Sequence, residues 1–121
     1  MKMQTIELTG AVLDWAVLYI RTYAATCGSP ILTGDLMRQA LKNGMASPST
    51  DWAQGGPIIE RGGIAISPHD TLGWAAFQSH TAIDGVIYKD YFGPTPLIAA
   101  MRCYVASKLG DTVDVPDELN P

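Results

Sequence analysis

Charge is scarce in this chain: only 17% of its 121 residues are charged, with 8 Lys and Arg against 12 Asp and Glu. The formal net charge of -4 speaks against general nucleic-acid binding, which needs a basic footprint. It leaves room for a small anion held by a few local donors. Cysteine is nearly absent as well. Cys27 and Cys103 both sit in apolar surroundings and read as buried thiols of a reducing compartment, with a disulfide as the alternative. The two histidines, His69 and His80, lack the CxxC or HxxxH spacing of a zinc site. No GxSxG, CxxC, Walker or HExxH pattern occurs. The longest apolar segment, residues 11–20, is broken by Asp14 and too short to cross a bilayer. Residues 1–10 contain Gln4, Thr5 and Glu7 and lack the apolar core of a signal peptide. These absences predict a soluble cytoplasmic protein without membrane association, metal or cofactor. They favour binding over catalysis, and no catalytic residue is assigned.

What the chain does have is apolar residues, at 47%. Its length suits one domain with one modest core, and no repeat or linker divides residues 1–121. The densest stretch is residues 51–66. It packs Trp52, the pair Gly55-Gly56 before Pro57, the pair Gly62-Gly63, and Glu60 beside Arg61. Gly55-Gly56-Pro57 reads as a sharp turn. Residues 57–60 and 64–67 read as two short strands, joined by Arg61-Gly62-Gly63 as a hairpin loop.

Before that stretch, residues 1–8 alternate weakly and read as an edge strand. Thr9 is a plausible N-cap for a helix over residues 10–25. Its apolar residues cover two faces, and only Asp14 and Arg21 mark a polar stripe. A short helix is predicted over residues 33–43, stopped by Gly44. After the stretch, residues 68–73 read as a loop and residues 73–77 as a strand. Asp84-Gly85 signals a turn with a short strand at residues 86–88. Thr95 as N-cap and Pro96 at the first helical position open a last helix, which runs to about Leu109 and closes at Gly110. Val113 and Val115, around Asp114, predict a brief strand. Together these readings give an α+β domain: a small, mainly antiparallel sheet from residues 57–77, packed against two or three helices.

Three blocks of this sequence resemble the NinX-like phage proteins. They are Leu8-Thr9-Gly10-Ala11-Val12-Leu13-Asp14-Trp15-Ala16-Val17, then residues 48–60 around Asp51-Trp52-Ala53-Gln54-Gly55-Gly56, then residues 93–110 from Gly93-Pro94-Thr95-Pro96 through Arg102. Their order along the chain also fits, and together they span about a third of it, leaving residues 18–47 and 78–92 outside. The resemblance implies a protein of tailed bacteriophages and prophages, from the accessory region of lambda-like phages, acting in the infected bacterial host. It implies no catalytic residue, since the family brings no established activity with it.

The candidate ligand-binding residues are Asp51, Trp52, Gln54, Gly55, Gly56, Glu60, Trp74, Thr95 and Arg102. Trp52 and Trp74 suit stacking on a base, and equally suit plugging the core. Glu60 can orient a ligand or form a solvated pair with Arg61. Arg102 stands alone in an apolar helix. It reads either as a bidentate donor to phosphate or carboxylate, or as an ion-pair partner of Asp14, Asp51 or Glu60. The helix start at Thr95 offers an anion site or an ordinary cap. Two function classes follow. One, by analogy with the contest against the host that the resemblance to phage accessory proteins implies, is a binding protein that sequesters a small anionic, nucleotide-derived signal of host defence. The other is a protein–protein module that modulates a host or phage replication or recombination factor. The two-sided apolar face of residues 10–25 and the low charge density predict a homo-oligomer, a dimer in the simplest case. Light scattering at micromolar concentration checks this: the expected mass is twice that of the chain, and a monomer mass rules it out.

Overall fold

The computed structural model describes residues 2–25, 47–78, 80–82, 85–87 and 90–115. The predicted helix at 33–43, Cys27 and the turn residue Asp84 lie outside these. Strand β1 (Lys2–Gln4) leads through a single 3-10 turn (Thr5–Glu7) to helix α1 (Gly10–Ala25). Helix α2 (Trp52–Gly62) follows, then β2 (Ile64–His69), β3 (Gly73–Gln78), β4 (His80–Ala82), β5 (Gly85–Ile87) and β6 (Tyr91–Gly93). Helix α3 (Pro96–Leu109) and strand β7 (Thr112–Asp114) close the described chain. The sheets are antiparallel: β2-β3-β6, with Ala76 paired to Ile66 on one side and Tyr91 on the other, and the pairs β1-β7 and β4-β5. This is the small α+β fold that the pattern predicts.

α3 is the spine. It packs against α1, α2, β2, β3, β6, β7 and the 3-10 turn. Leu97, Ala99, Ala100, Met101, Cys103 and Val105 are all buried, so the helix is apolar on more than one face, as a helix covered on several sides must be. Val12, Leu13, Ala16 and Val17 of α1 join the same core with Ile58, Ile64, Ala76 and Tyr91. The chain ends close the structure. The Thr5 amide donates to the Asp111 carbonyl at 2.8 Å, and the Thr5 hydroxyl to the Gly110 carbonyl at 2.6 Å. Tyr91 donates its hydroxyl to the Asp111 carboxylate at 2.9 Å. The expected edge strand at the start and brief strand at the end are thus each other's partners. Among the described residues no helix is long and apolar enough to cross a membrane. Cys103 is a free, buried thiol, and burial pushes its pKa up to about 11. At neutral pH it is a small apolar group rather than a nucleophile.

Two expectations are corrected. Residues 57–60 are not a strand, nor is 61–63 a hairpin loop: both lie on α2 or at its end. The cause is capping at each end. The Asp51 carboxylate accepts from the Ala53 amide at 3.0 Å and from the Gln54 side-chain amide at 3.0 Å. Gln54 in turn accepts from the Ser47 amide at 2.9 Å. At the far end Gly63 adopts φ 61 and donates to the Glu60 carbonyl, a left-handed cap open to glycine at little cost. Burying Ile58 against the core then offsets Pro57, whose ring removes a helical donor. The second correction concerns Asp14, which is buried rather than part of a wet stripe. Its carboxylate accepts from the Ser49 amide at 2.8 Å and holds the segment that launches α2.

Gly55 and Gly56 separate in consequence. A Cβ on Gly55 would overlap the Pro48 carbonyl oxygen and the Leu97 side chain, whereas one on Gly56 would meet nothing within 4 Å. Gly55→Ala is therefore expected to cost about 1–3 kcal/mol through overpacking. Gly56→Ala is expected to stay within about 0.5 kcal/mol of the parent, because the gain in helix propensity is opposed by crowding ahead of Pro57. Chemical denaturation of both variants checks the pair; equal midpoints would contradict it.

Candidate functional site: a groove against Arg102

The β2-β3 connection is a three-residue loop, Asp70, Thr71 and Leu72, held from inside by a side chain. His69 Nδ1 accepts from the Thr71 amide at 3.2 Å and from the Leu72 amide at 3.0 Å. The same ring meets Phe92 edge-on at 5.1 Å. Gly73 then starts β3 with φ +89, and a Cβ there would lie 2.6 Å from the Gly93 carbonyl oxygen. Only glycine gives both the backbone angle and the approach. The loop is thereby laid beside the end of β6. Leu72 remains 51% exposed.

Arg102 reaches this place from α3. Its Nε donates to the Leu8 carbonyl at 2.8 Å and its Nη1 to the Phe92 carbonyl at 2.6 Å. Burial lowers its pKa from the usual arginine value, yet leaves it far from losing its proton in any ordinary buffer. Two carbonyls hold the guanidinium but do not neutralise it. The expected ion pair is not what forms: Asp14 serves Ser49, Asp51 caps α2, and Glu60 is exposed on α2. With Thr71, Leu72, Gly73, Phe92, Gly93 and Pro94, Arg102 lines a wide-mouthed groove of about 600 Å³.

The structure gathers some of the candidate residues and disperses others. Arg102 meets the Gly93-Pro94 turn in the groove. Asp51, Trp52, Gln54, Gly55, Gly56 and Glu60 belong to the cap and body of α2 and do not line it. Trp52 is 53% exposed in the first turn of α2, so it is no core plug. Trp74 is half-buried on β3, opposite Pro68 and Gly93, and packs against the core. Thr95 is an ordinary cap, its hydroxyl accepting from the Ile98 amide at 3.2 Å. Pro96 has no amide hydrogen to offer, so this helix start aims few donors at a ligand. Sequence reading missed Phe92, Thr71 and Leu72. The signal available was an aromatic directly before a Gly-Pro turn, with a histidine heading a short polar loop.

The clasp has a measurable consequence. Arg102→Lys keeps the charge but replaces a planar two-armed donor by a point donor that cannot serve both carbonyls in the same geometry. A loss of about 1–3 kcal/mol in unfolding free energy is expected. An unchanged denaturation midpoint would show that the two carbonyl bonds carry no stability.

The three blocks that resemble the NinX-like phage proteins now have their places, as the start of α1, the entry and body of α2, and the turn before α3 with α3 itself. No curated protein matches the chain. The family model described as Bacteriophage P22, NinX matches residues 4–108, which takes in most of the core and the groove, and the chain belongs to that family.

Proposed function

We propose that this phage protein acts by binding, and that the Arg102 groove holds a small anionic ligand of the nucleotide type, of the class that serves as signals in host defence. It does so in the cytoplasm of the infected bacterium. The observation that carries this reading is the state of Arg102: a half-buried cation, anchored among the described residues only through carbonyls, lining an open groove. A guanidinium has five N–H donors, and the two bonds to carbonyls leave others for an anion. Phe92, half-buried in the same groove, offers an aromatic surface for a base.

Calorimetry and thermal shift against cyclic dinucleotides and ADP-ribose-type molecules test this. A ligand at a hundred times its dissociation constant should stabilise the fold by about 2.7 kcal/mol. Because Arg102 also clasps the fold, the diagnostic variant is Leu72→Glu, which places a negative charge at the exposed rim. It should abolish the ligand's shift while the unliganded protein melts as before. A panel without any shift would sink the reading. A second reading, the protein–protein module, draws on Trp52, which stands exposed beside the polar cap of α2. A silent panel, with a purified replication or recombination factor bound by the parent and lost with Trp52→Ala, would support it instead.

A further inference from the structure

A second recess shares no lining residue with the Arg102 groove. Its volume is about 280 Å³, and its walls come from α1, α2, α3 and the end of β3. Arg21, Arg61 and Lys108 line it with Tyr104 and Gln78. Three of the chain's eight Lys and Arg residues therefore converge on one small space in a protein of net charge -4. Among the described residues, none of the three makes an ion pair. Tyr104 senses Arg21: burial raises the phenol's pKa, while the positive charge of Arg21 pulls it back. The Gln78 side-chain amide donates to the Gly62 carbonyl, which braces the wall between β3 and α2.

Helix dipoles explain part of this. Arg61 and Lys108 each lie in the last turn of their helix, where a cation is favoured. That accounts for each residue separately. It does not account for Arg21, which comes from a third helix, nor for three like charges facing one recess beside a phenol. Water screens the repulsion among these exposed side chains, and a bound anion would relieve what remains. A further space of about 230 Å³ adjoins, sharing Arg21, Ile58 and Arg61 and continuing between α1 and α2 along Val17, Leu18 and Pro57. A charged mouth opening beside an apolar recess fits a phosphorylated group whose remainder is less polar.

We infer that the recess between α1, α2 and α3 is an anion site for a phosphate-class ligand, held by Arg21, Arg61 and Lys108 with the Tyr104 hydroxyl as a further donor. The site stands independently of the Arg102 groove. Titration of the full chain with inorganic pyrophosphate, and separately with adenosine 5′-diphosphate, tests it. Saturable binding is expected, together with a rise in melting temperature beyond that given by sodium chloride at equal ionic strength. Arg61→Gln and Lys108→Gln should each weaken binding about tenfold, the effect of losing one charge-assisted bond. Both side chains are exposed, so the variants should fold. Leu72→Glu, at the other groove, should leave this binding unchanged. Tighter binding of the diphosphate nucleoside than of pyrophosphate would assign the neighbouring apolar recess to the same ligand. Equal binding would assign the site to the phosphate group alone. Pyrophosphate no more effective than sodium chloride, or full binding by both Gln variants, would overturn the inference.

Discussion

Gly93 has no side chain, and the fold depends on that. A Cβ there would lie 2.8 Å from the Ala99 amide nitrogen and 2.9 Å from the Ile98 side chain. β6 therefore rests directly on the first turn of α3. Gly73 repeats the device within the sheet, against the Gly93 carbonyl of the neighbouring strand. Two glycines thus set the start of β3 beside the end of β6, and β6 against α3, with almost no side-chain filling at those two points. Close packing of this kind leaves little room for adjustment. Once β6 lies so near α3, the Phe92 carbonyl comes within reach of Arg102, and Arg102 at the same time gathers the Leu8 segment. Both the clasp and the groove beside it follow from the glycine contact.

Buried charge is handled in one way at two places. Asp14 is taken out of water but accepts from the Ser49 amide. Arg102 is partly taken out of water but donates to two carbonyls. Among the described residues each is held by backbone, not by an opposite charge. Burying a charge is costly unless hydrogen bonds replace its hydration. Backbone partners supply them and also fix the path of the chain: Asp14 sets where α2 begins, and Arg102 sets how residues 8 and 92 approach α3. The arrangement near Asp14 is not free of cost, because Ser49 Oγ is buried without a hydrogen-bond partner among the described residues.

The parts of this fold that could be read in the sequence are those set by local rules. Thr95-Pro96 and Gly110 bracket α3, and the structure agrees at both ends. The apolar run after Thr9 gave α1, bounds included. The terminal strands were visible as weak alternation, although nothing local announced that they pair with each other. α2 was misread because Gly-Gly-Pro is a strong turn signal while Asp51 with Gln54 three residues on is a quieter capping signal. Tertiary contact decided between them, since Gly55 is where Pro48 and Leu97 press against the helix. Arg102 stood out by its isolation, but its partners lie 94 and 10 residues away, and no spacing rule reaches them. Phe92 and the loop at residues 70–72 become neighbours of Arg102 only once β3 and β6 pair. The same holds for Arg21, Arg61 and Lys108, which come from three helices.

The two recesses lie on opposite flanks of α3. Residues 102 and 104 are two apart on a helix, hence about 200° around its axis, so their side chains leave on nearly opposite sides. One side meets the sheet edge and the Arg102 groove. The other meets α1 and α2 at the cationic recess, with Lys108 one turn beyond Tyr104. Between them run the buried residues that seat the helix, including Ala99, Ala100 and Cys103. The close contact of Gly93 with Ala99 leaves α3 little room to shift. The helix that organises the core is therefore also what holds both polar sites in fixed relation to each other.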